Sequence, residues 1–233
     1  MDSLAQLPLN IGLDSQATFT NFLVGDNRLL LDYLQRFSQN NIDWFTYLWG
    51  APGSGRTHLL HATYYLAEQR QQHAAYIPLR EIHQVSPKLL ENLEDFALVI
   101  LDDVQLIVGN RAWEEAVFHL YNRIQSAKHK LIMSADQPPQ QLNIQLPDLQ
   151  SRITAGVIFK LHALSEAQKV SALQLRATQL GLNLPIEVAQ FMLHHCPRDL
   201  PSLFITLEKL DRASLAAKRK LTLPFLKQVL NLN

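Results

Sequence analysis

The sequence predicts an α/β fold, a parallel sheet flanked by helices, followed by a small all-helical domain. Three observations carry this. Short apolar strands alternate with helical segments as far as Leu161, and beyond it the strands stop. Three of the eight glycines fall within six residues, in the run GAPGSGRTH that starts at Gly50. That run follows an apolar, aromatic stretch (Trp44 to Trp49) and leads into Leu59 and Leu60, the order strand, loop, helix start.

Residues 1–14 read as a tail, with Pro8, Gly12 and no period. A turn around Gly25–Asp26 precedes an amphipathic helix over Arg28–Phe37. Strands are expected at Phe45–Trp49, Ala74–Pro78, Leu98–Leu101, Lys130–Ser134 and Val157–Lys160. Helices are expected between them at Thr57–Gln69, Pro87–Leu93 and Ala112–Ala127. Strands joined through helices imply a parallel sheet covered on both faces. Ser165-Glu-Ala-Gln168 reads as a capping box opening a helix that ends at Gly181. A second helix follows Pro185, a third starts near Arg198, and a short last one follows Pro224. The expected division is a tail at 1–14, an α/β core at 15–162 and a helical unit at 163–233.

Composition narrows the class. With 233 residues and 47% hydrophobic content the chain can bury a sizeable core. Lys+Arg and Asp+Glu are equal at 21 each, which removes any global electrostatic case for non-specific nucleic-acid binding. One cysteine, Cys196, excludes an internal disulfide and fits a reducing compartment. No apolar run approaches the roughly 18 residues of a membrane span. The N-terminus also lacks the basic flank and long apolar stretch of a signal peptide. A cytoplasmic protein without membrane contact is the expectation. The histidines, among them His58, His61, His194 and His195, show no metal-ligand spacing with cysteine.

The glycine run is a phosphate cradle by its chemistry. Glycines let backbone N–H groups turn inward, and a helix N-terminus adds a partial positive charge. Gly50, Gly55 and Thr57 match G-x-x-x-x-G-K-[ST], with Pro52, Gly53 and Ser54 inside the loop and His58 beyond it. Arg56 stands where that pattern has lysine. An arginine keeps the charge but is longer, planar and forked, so nucleotide binding is expected to survive while intrinsic turnover is slow or absent. Thr57 still offers a hydroxyl for magnesium. Leu98-Val-Ile-Leu101 ends in Asp102 and Asp103. The first acid is placed to hold Mg2+ through its water shell, and the second to orient or deprotonate an attacking water.

Taken together, TFTNFLVGDN, GAPGSGRTHLLHA, LVILDDVQ, SADQPP, LPDLQSRITAG and PRDLPSLF followed by LDRAS resemble the DnaA-type AAA+ proteins, over nearly the whole chain. The resemblance implies an AAA+ core with a helical lid. It implies that Phe22, Val24 and Gly25 line an adenine pocket, that Ser134 and Asp136 act as a first sensor beside the terminal phosphate, and that Arg198 is a second sensor on the lid. Arg152, which follows a short helix, matches the arginine that this family projects into a neighbouring subunit's nucleotide site. There it would act on a partner's phosphoryl transfer. No helix-turn-helix domain is expected after the lid, so DNA contact is expected to be indirect, and Lys218-Arg219-Lys220 reads as a solvated helix end.

The tail segment Gln6-Leu7-Pro8-Leu9-Asn10-Ile11 resembles the short peptide by which bacterial proteins dock on the DNA polymerase sliding clamp (its beta subunit). A glutamine amide and apolar side chains on an extended chain suit a hydrophobic cleft, through Gln6, Leu7, Leu9 and Ile11. The resemblance thus implies a regulatory adaptor that binds ADP (or ATP) with Mg2+, meets DnaA through its AAA+ face, and stimulates hydrolysis of DnaA-bound ATP. A homodimer through the same face is compatible with it. Two other readings stay open: an AAA+ helicase loader, and an autonomous P-loop ATPase.

Overall fold

The computed structural model describes residues 13, 17–37, 39 and 43–231. These residues form two units: one reaches Phe22 and resumes over Asn27–His162, and the other joins Leu23–Asp26 to Ala163 onward.

The first unit runs α1 (Arg28–Phe37), β1 (Phe45–Trp49), α2 (Arg56–Gln69), β2 (Ala74–Pro78), β3 (Leu98–Asp102), α3 (Arg111–Ala127), β4 (Lys130–Ala135), α4 (Pro147–Thr154) and β5 (Val157–Lys160). All pairings are parallel, in the order β2-β3-β4-β1-β5. The inner strands are buried along nearly their whole length, as a sheet covered on both faces requires. Val99, Leu101, Leu131 and Met133 share one core cluster with Val117, Leu120 and Ile124 of α3 and Leu149 and Ile153 of α4. By the pleat, Leu48, Ile100 and Ile132 face the other way, where α1 and α2 bury Leu30, Leu34, Leu59 and Leu60.

The expected helix over Pro87–Leu93 does not form. Two 3₁₀ turns, Pro87–Leu90 and Leu93–Asp95, stand there instead. Glu91 is extended (ψ 142°) and Asn92 is left-handed (φ 62°), so no continuous ladder passes between them. Likewise Arg152 does not follow a short helix but lies inside one, α4.

The second unit packs α5 (Glu166–Gln179), α6 (Ile186–His195), α7 (Leu200–Ala217) and α8 (Leu223–Leu230) around Leu173, Met192, Leu203, Leu207, Phe225 and Leu226. The capping box of α5 is complete. Ser165 Oγ accepts from the Gln168 N–H at 3.3 Å, and Gln168 Oε1 accepts from the Ser165 N–H at 2.8 Å. Asp199 and Thr222 cap α7 and α8 more simply, each accepting from a backbone N–H three residues on.

Between α4 and β5 the chain passes against β1. A Cβ placed on Gly156 would overlap the Phe45 ring, and that ring is itself packed edge-on by Tyr121 and next to Trp44. The ring cannot swing aside without disturbing both. Gly156→Ala is therefore expected to destabilise the protein by about 2 kcal/mol, as overpacking of a filled core does. Urea unfolding checks this, and an unchanged midpoint would contradict it.

Candidate functional site

The loop of residues 50–55 leaves the C-terminal end of β1 and enters α2, whose N-cap is Gly55. Gly55 needs to be glycine on two counts: its φ is +101°, and an added Cβ would lie 2.7 Å from the Phe22 ring. Phe22 also packs on His58, their centroids 5.4 Å apart, and the His58 ring nitrogen meets the Thr18 carbonyl at 2.9 Å. Gly50 donates its N–H to the Ala135 carbonyl at the end of β4. The loop that carries Pro52, Gly53 and Ser54 is thereby fastened to two strands.

β4 lies between β1 and β3, so the polar end of β4 separates the loop from the acidic pair. Ser134 fills that gap. Its hydroxyl donates to Asp102 Oδ1 and accepts from the Asp103 N–H at 3.2 Å. Asp102 Oδ2 accepts from Thr57 Oγ1 at 2.8 Å and from the Tyr76 hydroxyl at 2.8 Å. Burial, and then the charge of Asp102, raise the Tyr76 phenol far above its ordinary range, so it stays a donor. Thr57, Asp102 and Ser134 thus form one fully hydrogen-bonded oxygen cluster at the mouth of the loop.

Asp103 is held differently. It is left-handed (φ 64°) and ends the strand. Its Oδ1 accepts from Arg56 at 2.8 Å and from the Gln105 amide at 3.1 Å, and its Oδ2 from Arg80 at 2.9 Å. The other fork of Arg56 donates to the Gly50 carbonyl. A lysine ammonium is a point donor; the planar guanidinium spans loop and strand at once. Burial raises the Asp103 carboxyl, but the Gln105 bond and the charges of Arg56 and Arg80 outweigh it and hold the group below its ordinary value.

Among the described residues, Ser54 Oγ, Arg56 Nε and Asp136 Oδ1 are buried with no hydrogen-bond partner near the loop, and the amide oxygens of Gln105 and Gln150 are likewise unpartnered elsewhere. The first three belong to the loop, the start of α2 and the segment just past β4. Unpaired buried polar atoms are costly in a closed protein and are expected where a polar ligand completes the set. The oxygen donors of Thr57 and Asp102 suit a hard cation such as Mg2+.

Arg152 is exposed on α4, and among the described residues it has no carboxylate within ion-pair distance. Its guanidinium carbon lies 5.8 Å from the Tyr121 ring centroid. Burial raises the Tyr121 phenol, and the Arg152 charge pulls it part of the way back. The N-cap of α4 is Leu146, which offers no side-chain cap. The fully buried Glu114 substitutes for one. Its carboxylate accepts from the N–H groups of Gly109 (2.9 Å), Gln145 (3.0 Å) and Leu146 (2.8 Å).

The remaining expected residues divide between the units. Val24 and Gly25 belong to the second, where Gly25 sits against Leu164 and Gln168. Arg198 stands just before the Asp199 cap, exposed, 3.4 Å from Glu166. Gln6, Leu7, Leu9 and Ile11 lie outside the described residues. No feature of the sequence singles out Arg80, Gln105, Tyr76 or Glu114. Arg80 reaches Asp103 because β2 pairs with β3 in the register Pro78↔Asp102, a strand order that no local pattern reveals.

A parallel sheet in this order, with the glycine loop after β1 and polar ends of β3 and β4 turned towards it, defines a P-loop protein of the AAA+ class. The chain belongs to the bacterial DnaA ATPase domain family, which matches residues 13–160, and residues 166–230 match the lid domain of Hda. It is therefore an Hda-like, DnaA-related AAA+ protein. Domain III of the Thermotoga maritima replication initiation protein DnaA has the same fold, with a TM-score of 0.83 at 22% identity over 94% of this chain and 98% of that one. AMPPCP-bound DnaA from Aquifex aeolicus aligns with a TM-score of 0.71 at 22% identity, over 84% of this chain and 65% of that one. The Thermotoga maritima RuvB Holliday junction branch migration motor gives 0.70 at 15% identity, over 92% and 71%. Among the described residues no helix is long and apolar enough to cross a membrane.

Replacing Asp103 by alanine leaves the buried Arg56 guanidinium unpaired and is expected to cost about 3–5 kcal/mol. The depressed carboxyl also fixes a sign. Its contribution is present above the unfolded value of 3.8 and is lost as pH falls through the lower folded value. The stability gap between the natural protein and Asp103→Asn is thus largest near neutral pH and narrows in strong acid. Urea melts across that range check this, and a gap that widens on acidification would contradict it.

Proposed function

We propose that this chain is a regulatory adaptor of the replication initiator DnaA, acting in the cytoplasm. It binds ADP or ATP at the loop of residues 50–58, with Thr57 and Asp102 holding Mg2+ and Ser134, Asp136 and Arg198 sensing the phosphates. The bound metal would supply charge neutralisation at the phosphates. Phe22, Val24 and Gly25 serve the adenine. The unpaired buried atoms of Ser54, Arg56 and Asp136 support a ligand there, as does a similarly folded DnaA that binds AMPPCP.

On this reading the chain turns over its own nucleotide slowly or not at all. A general base must accept a proton, and both oxygens of Asp103 are already taken by cationic or amide donors. For Asp103 to act on a water, a guanidinium has to leave first. The productive group is Arg152, which meets a second protein. It neutralises charge on the phosphoryl group of ATP bound to DnaA, an effect worth roughly 10³–10⁵ in rate where an arginine is supplied in trans. The observation that carries this is the exposure of Arg152 on a helix fixed at its N-terminus by Glu114, with its charge unneutralised. The tail through Gln6, Leu7, Leu9 and Ile11 holds the DNA-loaded sliding clamp, so the chain's contact with DNA is indirect. The same AAA+ face is available for a homodimer.

The test loads DnaA with radiolabelled ATP and follows one turnover with DNA-loaded clamp, with and without this chain. Hydrolysis is expected to accelerate only when clamp, DNA and chain are all present, and to fall back to the basal rate with Arg152→Ala. No acceleration, from a chain that binds nucleotide normally, would overturn the adaptor reading in favour of a helicase loader.

A further inference from the structure

A long arginine that must reach across an interface has two conflicting requirements. It needs a defined resting place, or its rotamer freedom is lost at the moment of contact. Yet a carboxylate partner would neutralise the charge and occupy the donors that the arginine must deliver. The face of an aromatic ring meets both requirements, because it orients a guanidinium while leaving its N–H groups free.

Arg152 has such a ring. Tyr121 is 4% exposed and lies two turns along α3 from Glu114, so the two project from the same side of that helix. Glu114 fixes the start of α4, and the Tyr121 ring stands 5.8 Å from the guanidinium towards its other end. The ring itself is immobilised. Trp44 and Phe45 pack on it edge-on, with centroids 4.6 and 5.1 Å away and planes at 67° and 75°. We propose that Tyr121 is a positioning residue for Arg152: its ring parks the guanidinium in the free protein, so the arginine enters the partner's site already oriented. This rests on the reading of Arg152 as the group that acts in trans. It adds that α3 supplies the geometry and that the ring, not the phenol hydroxyl, does so.

Two measurements test it. In the chain alone, with arginine selectively labelled, the side-chain proton resonances of Arg152 are expected to be shifted upfield by the ring current. Tyr121→Phe keeps the shift and Tyr121→Leu removes it. The natural protein's spectrum decides docking without any variant of the buried ring, and unshifted Arg152 resonances overturn the proposal. In the DnaA turnover assay, Tyr121→Leu is expected to lower the maximal stimulated rate about fivefold, the scale of a lost cation–π contact. Its half-saturating concentration stays unchanged, Tyr121→Phe restores the rate, and Tyr121→Leu has no further effect on top of Arg152→Ala. A full maximal rate from folded Tyr121→Leu, or a change confined to half-saturation, overturns the positioning role. Stimulation that survives Arg152→Ala alone instead overturns the reading of Arg152, and the two failures are told apart by which variant shows them.

Discussion

The ends of β1, β3 and β4 are tied together by one hydrogen-bonded cluster, and the rest of the site depends on it. Because β4 is inserted between the loop strand and the acidic strand, neither Asp102 nor Asp103 reaches the loop through backbone pairing. Side chains have to close the gap. Ser134 does so from β4, Thr57 from the first turn of α2, and Arg56 from the residue before it. A buried carboxylate is tolerable only when its oxygens are satisfied. Asp102 meets that condition with hydroxyls alone, and Asp103 with two guanidiniums and an amide. The two neighbouring acids therefore differ in kind. The first sits in a cluster of neutral hydroxyl donors, and its oxygens suit a hard cation. The second is a saturated ion pair, closed to proton transfer.

That difference assigns work to different parts of the molecule. Arg56 ties the loop to the acidic strand by bonding the Gly50 carbonyl and Asp103 together, which on the proposed reading favours holding a nucleotide over reacting with it. On the proposed reading the chemistry belongs to α4, on the opposite face of the sheet from α2, where Arg152 has no carboxylate within ion-pair distance among the described residues. Glu114 and Tyr121 belong to α3, so one helix both covers the sheet and sets the frame of α4. Gly156 belongs to the same arrangement, since only a residue without a Cβ lets the chain turn from α4 across the Phe45 ring into β5.

Much of the fold is legible in the sequence because its signals are local. The five strands, the capping box at Ser165 and the glycine loop are each read from a few consecutive residues, and each is found in place. The segment Pro87–Leu93 misleads for the same reason: its apolar spacing suits a helix, but an extended Glu91 and a left-handed Asn92 interrupt it. The motif residues of the site are legible too, at Gly50 to Thr57 and at Asp102 and Asp103. Their partners are not. Arg80, Glu114 and Tyr121 lie in segments with no motif, and strand order or helix packing alone brings them to the site, while Gln105 ends the run LVILDDVQ, which does not reveal that its amide turns back onto Asp103. The left-handed turn at Asp103, which aims its carboxylate at Arg56 and Arg80, is equally invisible from composition.

On the proposed reading this P-loop holds a nucleotide without consuming it. The most direct measurement mixes the isolated chain with radiolabelled ATP and Mg2+ at concentrations where all the nucleotide is bound. Bound label and product are then followed through one turnover, with Arg56→Lys run in parallel. Retained label is expected to stay almost wholly as ATP for as long as the complex survives. Conversion to ADP within minutes by the natural protein would contradict it, because Asp103 would then be free to act despite its two guanidiniums.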